Sequence, residues 1–251
     1  MKVTLIGTGN VAWHLATALA RSPVDLVEIV GRNDTEGRAM ASATGVPFSR
    51  LGSGFAPTDL ILVATADSAL PEIFPLLPEG TAAAHTAGGV DIMARPGGPS
   101  GVFYPLQTFS RALPMNWADL PVLIEASDEQ LTDALIDVAD ALGALPTLCT
   151  SADRLRLHCA AVLVNNMTNH LFAAAEELLG EKRLPFALLH PLMRETVRKA
   201  MALSPSEAQT GPAKRGDTAT INRHLQLLAE HPQTAVLYAI ISKHITRHHH
   251  G

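Results

Sequence analysis

The chain reads as an α/β protein, a doubly wound, mostly parallel sheet followed by an all-α C-terminal domain. Three observations give that reading. Short apolar runs alternate with amphipathic stretches through the first half, the order that builds a parallel sheet with right-handed crossovers. The run Leu60 to Ala64 shows no polar alternation, as expected of a strand covered on both faces. From Ser151 onward only helical periodicities remain.

The elements follow in order. Val3-Thr4-Leu5-Ile6 is a run of strand formers that ends in glycine. Asn10 to Arg21 places Val11, Leu15, Ala18 and Leu19 at helical spacing. Leu26 to Val30 predicts the second strand and Thr35 to Thr44 the second helix. Leu60 to Ala64, Thr81 to Ala84 and Val122 to Glu125 predict further strands. The second half opens with a long helix over Arg154 to Leu179. Another follows over Leu189 to Ala202, with Arg194/Glu195 and Arg198/Lys199 at i,i+4 spacing. A loop rich in Pro, Gly and Thr (Pro205 to Gly216) leads to helices over Ala219 to Glu230 and Gln233 to Arg247. The chain divides best near 148–152, giving a dinucleotide-type domain over 1–150 and a helical domain over 151–251.

Composition narrows the function classes. The 251 residues fall between one and two domains at about 150 residues each. Lys and Arg total 19 against 24 Asp and Glu, a formal net charge of -5, and this unclustered acidic balance argues against nucleic acid or an anionic membrane as partner. No apolar run approaches ~18 residues, and Met1 to Gly7 runs directly into a strand without a charged leader. Cys149 and Cys159 lack metal-type spacing and read as two buried, reduced thiols, so a cytoplasmic protein without a metal is expected. The terminal tract His248-His249-His250 is left out of the site arguments.

Gly7-Thr8-Gly9-Asn10-Val11-Ala12 fits G-x-G-x-x-A, between the first strand and its helix. Each small residue has a physical reason. Gly7 permits the tight turn, Gly9 lets the backbone approach a pyrophosphate, and Ala12 lets helix and strand pack closely. The helix N-terminus offers free N–H groups and a positive dipole end to the anion. The second strand ends Val30-Gly31-Arg32-Asn33, without the carboxylate that would bind a ribose 2′-hydroxyl. Arg32 can fork onto a 2′-phosphate, with Asn33 or Arg38 assisting, so NADP(H) is favoured over NAD; the alternative is a solvated turn arginine. Thr65, Ala66 and Asp67 follow the Leu60 run and should border the cofactor, although Asp67-Ser68 also suits an N-cap. His85 and Thr86 follow the fourth apolar run. His85 is either a substrate or nicotinamide contact or a histidine satisfied by backbone.

These motifs have company. With His85-Thr86-Ala87-Gly88 go Gly101-Val102-Phe103-Tyr104-Pro105-Leu106-Gln107-Thr108-Phe109-Ser110, Leu157-His158-Cys159-Ala160-Ala161-Val162, Asn165-Asn166-Met167-Thr168-Asn169-His170 and Gln209-Thr210-Gly211-Pro212-Ala213. Together they resemble a bacterial family that joins a Rossmann-like NAD(P)-binding domain to a C-terminal helical domain of unknown function. Its members are described as NADP oxidoreductases. That family is similar to pyrroline-carboxylate reductase and deazaflavin-dependent NADP reductases, and more distantly to β-hydroxyacid dehydrogenases. The resemblance spans nearly the whole chain. It implies a homodimer formed through the helical domain, which supplies residues to the cleft. It does not carry over the lysine of the hydroxyacid dehydrogenases, since no Lys lies between Arg156 and Lys182.

His158, Asn165 and Asn169, spaced seven and four, share one face of the long helix, and Asn166 and His170 form an adjacent pair. A polar line down an apolar helix must be hydrogen-bonded. It either faces an interdomain cleft or meets the Thr210-Gly211-Pro212 loop. On the cleft reading, His158, Asn165, Asn169 and His170 are the candidate catalytic residues, with His158 or His170 donating the proton that accompanies a hydride. Glu195 is a further acid candidate, with pairing to Lys199 its simpler role. Tyr104 and Gln107 either line the same cleft or belong to a rigid interdomain turn at Tyr104-Pro105. The expectation is an NADP(H)-dependent oxidoreductase moving hydride to or from a small carbonyl or imine. The rival is a non-catalytic dinucleotide-binding sensor or assembly module, and a methyltransferase is a weaker third.

Overall fold

The structure, a computed structural model, describes residues 1–180 and 182–250. The chain forms two compact units, Met1–Asn166 and Met167–Gly251. The first unit therefore runs past the division near 150 and takes in the start of the long helical region.

The first unit is built on one eight-stranded sheet. Its strands are β1 (Lys2–Ile6), β2 (Asp25–Gly31), β3 (Phe48–Arg50), β4 (Leu60–Val63), β5 (Ala82–His85), β6 (Ser100–Pro105), β7 (Pro121–Ala126) and β8 (Leu145–Leu148). They lie in the order β3-β2-β1-β4-β5-β6-β7-β8. Every neighbouring pair is parallel except β6 with β7. The order reverses between β1 and β4, and such a switch point opens a crevice outside the carboxyl ends of the strands. Alternate residues of one strand serve opposite faces. Leu5 and Leu62 belong to a core with Leu15, Leu19 and Met40, while Ile6 and Ile61 belong to a second core with Leu70, Ile73 and Phe74.

Helices α1 (Asn10–Leu19), α2 (Asp34–Thr44), α3 (Leu70–Ile73) and α4 (Glu129–Ala141) connect these strands, and α5 (Ser151–Val162) follows β8. Asn33 caps α2 by accepting from the Glu36 N–H, and Asp128 caps α4 by accepting from the Leu131 N–H. Helix α1 differs. Its N-cap is Gly9, which gives no side-chain cap, and its first turn holds no acidic residue. Its leading N–H groups are therefore left to other partners.

Several expectations change in detail. Tyr104 and Pro105 close strand β6 rather than forming a turn after the sheet. Cys149 is half-buried and Cys159 exposed, so neither is a core thiol. The polar line does not run down a buried helix either, because Arg154 is the only buried residue of α5.

The second unit contains α6 (Thr168–Gly180), α7 (His190–Ala202), α8 (Pro205–Ala208), α9 (Pro212–Arg215), α10 (Thr218–Leu227) and α11 (Pro232–His250). Two short helices thus occupy the expected Pro205 to Gly216 loop, and the histidine tract ends α11. Ala213, Leu228 and Ser242 are the buried residues among those described here. Leu188, Leu192, Met201, Leu227, Val236 and Ile240 are exposed.

Candidate functional site

A cavity of about 1030 Å³ opens at the switch point, and every residue lining it belongs to the first unit. At one end stands the glycine turn. The Gly7 N–H donates to the Val30 carbonyl and the Ala64 N–H to the Ile6 carbonyl, so the turn is locked to both neighbouring strands. Gly7 has φ +134°, and a β-carbon there would stand 2.1 Å from the Ala64 carbonyl oxygen. Only glycine fits. At Gly9 a β-carbon would meet no atom within 4 Å, so the space is open on the cavity side. Thr8, Asn10 and Val11 line the same end, whereas Ala12 is fully buried under the turn.

Arg32 and Asn33 line the far rim of this end. Arg32 is exposed and, among the described residues, makes only a long 3.8 Å ion pair with Glu72, so its guanidinium is weakly held. The Asn33 carboxamide oxygen is engaged at 3.2 Å as the cap of α2. Thr65, Ala66 and Asp67 border the cavity as expected from the end of β4. The Thr65 hydroxyl oxygen is buried and has no hydrogen-bond partner among the described residues, so a polar atom of the cavity wall is unspent. Open space over Gly9, an uncapped helix and an orphaned hydroxyl fit a bound dinucleotide.

A strap closes over the turn. Leu106, Gln107, Thr108 and Phe109 line the cavity after β6. Asn10 donates to the Phe109 carbonyl at 3.1 Å, His14 to the Ser110 carbonyl at 3.0 Å, and Arg111 to the Thr8 carbonyl at 2.6 Å. Arg111 also pairs with Glu36 and stacks over Trp13 at 4.7 Å. The sequence reading missed Arg111, because its partners lie 75 and 103 residues away.

His85 takes the second of its two readings, a histidine satisfied by backbone. It is fully buried and does not line the cavity, whereas Thr86, Ala87 and Gly88 do. Its Nε2–H donates to the Asp91 carbonyl and its Nδ1 accepts from the Ala87 N–H, at 3.1 and 3.2 Å. Both ring nitrogens are used in shaping the loop. Burial is the main force holding its pKa below the ordinary histidine range, and the Asp91 bond opposes it.

The other end of the cavity carries the protic groups. The Tyr104 hydroxyl lies 3.0 Å from His158 Nδ1, with the rings edge to face at 5.7 Å. Gly88 makes room for them: a β-carbon there would stand 2.6 Å from both His158 Nδ1 and Tyr104 Cζ. Burial, aided by the Asp67 charge, pushes the Tyr104 phenol above its ordinary value. Asn165 and Asn166 also line the cavity. They sit in a π-helical turn, Leu163–Met167, a distortion common at functional sites. Asn169 and His170 are exposed in α6, in the second unit, and do not line the cavity. The π turn breaks the 3.6-residue repeat that placed Asn169 in line with His158 and His170 beside that line. Glu195 is exposed too and pairs with Arg198, not Lys199.

One further group places His158. Arg154, one turn earlier on α5, is 1% exposed. It pairs with Glu125 of β7 and donates to the Val90 carbonyl at 2.6 Å and to Ser151 Oγ at 3.1 Å. Burial raises the Glu125 carboxyl, but hydrogen bonds from Arg154 and Ser151 and the Arg154 charge outweigh it and hold the pKa below normal. Sequence alone gave no signal for this cluster beyond the i,i+4 spacing of Arg154 and His158.

A doubly wound sheet with a glycine turn at its switch point and a large cavity beside it defines the Rossmann-like class. The chain belongs to the DUF2520 family, a domain of unknown function whose model matches residues 120–245. A Bacteroides fragilis protein whose structure is described as "putative NADP oxidoreductase BF3122" is 36% identical, with TM-score 0.91 and 98% of each chain covered. The 1-pyrroline-5-carboxylate reductase of Streptococcus pyogenes has TM-score 0.65 at 16% identity, covering 98% of each chain. An imine reductase of Myxococcus stipitatus, solved with NADP+, has TM-score 0.65 at 15% identity, covering 99% of this chain and 96% of that one. The last two show a shared fold. None of the curated proteins matches the chain.

Proposed function

We propose that the protein is an NADP(H)-dependent oxidoreductase acting on a small carbonyl or imine compound. One observation carries this reading: a dinucleotide-type turn and a Tyr–His pair share one cavity. The free N–H groups of α1 and the open space at Gly9 hold the pyrophosphate, and Arg32 at the rim takes the 2′-phosphate. When bound, the cofactor supplies or accepts the hydride. Thr65 gives a hydroxyl to cofactor or substrate, Asn165 and Asn166 orient polar groups, and the strap from Leu106 to Phe109 excludes water. The similarity to the B. fragilis protein supports the NADP assignment.

Among the described residues that line the cavity, Arg32 is the one Lys or Arg, and it belongs to the dinucleotide end. This favours a substrate without a carboxylate. The exposed leucines, valine and isoleucine of the second unit, with three buried residues among those described, support a homodimer in which a second copy covers that unit.

The test is oxidation of NADPH, followed at 340 nm, with a panel of cyclic imines, ketones, aldehydes and keto acids. Turnover with an uncharged carbonyl or an imine supports the reading. Tight NADPH binding without turnover on any member favours the rival, a non-catalytic dinucleotide-binding module.

A further inference from the structure

We propose that the Tyr104 phenol is the proton donor of the reaction and that His158 reloads it. The proposal rests on the oxidoreductase reading above. Among the described residues lining the cavity, the side chains that titrate are Arg32, Asp67, Tyr104 and His158. Arg32 belongs to the dinucleotide end. Asp67 is exposed at the first position of the turn that follows β4. Tyr104 and His158 remain, and they are bonded to each other at 3.0 Å.

The surroundings fit a donor and its relay. Phe103 on one face of β6 is fully buried in the core, which sends its neighbour Tyr104 to the opposite face. Gly88 admits both rings where any side chain would collide with them. Arg154 fixes α5 one turn before His158 through Glu125, Ser151 and the Val90 carbonyl. The phenol stays protonated through neutral pH, because burial and Asp67 both oppose its ionisation.

Hydride and its electron pair, supplied by the reduced nicotinamide, form the new C–H bond. The π pair of the C=O or C=N group moves onto oxygen or nitrogen. The Tyr104 O–H bond breaks and its proton joins that heteroatom. The phenolate oxygen then takes the Nδ1 proton of a protonated His158, whose neutral ring is reloaded from water. Tyr104 is a catalytic residue on this account, and His158 acts through it.

The experiment uses the full-length protein with Tyr104→Phe, His158→Asn and a Tyr238→Phe background. The chain has two tyrosines, so Tyr238→Phe leaves Tyr104 as the sole phenol to titrate by absorbance near 295 nm. Tyr104→Phe should bind NADPH within threefold of wild type, measured by nicotinamide fluorescence, keep KM within threefold, and lose about 100-fold or more in kcat. His158→Asn should lower kcat with NADPH affinity kept, and should move the phenol titration midpoint of the cofactor-free protein. Wild-type kcat in Tyr104→Phe, or a phenol midpoint indifferent to His158→Asn, overturns the proposal. Loss of NADPH binding by the wild-type protein would instead overturn the oxidoreductase reading. The cofactor-free phenol titration decides the Tyr–His coupling even if the substrate panel yields no turnover.

Discussion

The two glycines of the turn should fail in different ways when each becomes alanine. At Gly7 the backbone has φ +134°, and the new methyl would sit 2.1 Å from the Ala64 carbonyl oxygen and 2.7 Å from its carbon. Those atoms belong to a backbone whose N–H is bonded to Ile6, so they cannot turn aside as a side-chain tip would. Strain at a glycine-only conformation costs about 1–3 kcal/mol. Forcing a methyl into packed space costs about 1–3 kcal/mol more. Gly7→Ala should therefore lose about 4 kcal/mol, which lowers Tm by on the order of 10 °C in a chain of this size.

Gly9 has extended backbone at φ −84° and no atom near the new methyl. The poorer N-cap, about 0.5–1 kcal/mol, is offset by a stiffer unfolded chain worth about 0.4–1 kcal/mol. Gly9→Ala should keep wild-type stability to within about 1 kcal/mol. The methyl fills the space through which a pyrophosphate approaches, so NADPH affinity should fall about 10- to 100-fold. Thermal denaturation and fluorescence titration of both variants supply the assay. Wild-type NADPH affinity in Gly9→Ala, or wild-type Tm in Gly7→Ala, would refute the reasoning.

Other expectations concern the groups behind the site. Arg154→Met leaves the Glu125 carboxylate with a lost partner and should cost about 3 kcal/mol, read as a lower urea midpoint; Arg154→Met/Glu125→Gln should recover much of it, and equal midpoints for wild type and Arg154→Met would contradict the role. The depressed Glu125 pKa adds stability that is fully present above about 4.5 and is lost as pH falls through the folded value. In Glu125→Gln the acid-side decline in urea midpoint should be shallower. His85 is also depressed, so the unfolded chain takes up its proton first and stability falls as pH drops below about 6.5. His85→Gln should flatten the decline between pH 7 and 5, and an unchanged slope would show that His85 is not held neutral.

What could be read in advance follows the range of the interaction. β1, the glycine turn and α1 are adjacent in sequence, and the apolar run of β4 advertises its own burial. Strand β3 has three residues, too few for any periodicity, and β8 carries Pro146, which an edge strand tolerates. Both were missed. Strand β6 was not predicted either, since Gly101 and Pro105 are poor strand formers, yet Gly101 is required where a β-carbon would press on the Glu125 carbonyl at 2.7 Å. Of the candidate site residues, Gly7 to Val11 and His158 line the cavity, and their local motifs made them visible in the sequence. The histidine spacing beyond Val162 was not, because a π turn changes the phase without altering composition. For His85 the strand-end position left two readings open, and only the long-range fold decides between them: its side chain is used by the Asp91 carbonyl and the Ala87 N–H.

If the cavity is an NADP(H) site whose 2′-phosphate contact is Arg32, NADPH and NADH must bind it unequally. Fluorescence titration of wild type and Arg32→Ala with NADPH and with NADH tests it directly. Saturable NADPH binding at least about tenfold tighter than NADH is expected, a preference of about 1.4 kcal/mol that Arg32→Ala largely removes while leaving NADH affinity unchanged. Equal affinity of the wild-type protein for the two cofactors would contradict it.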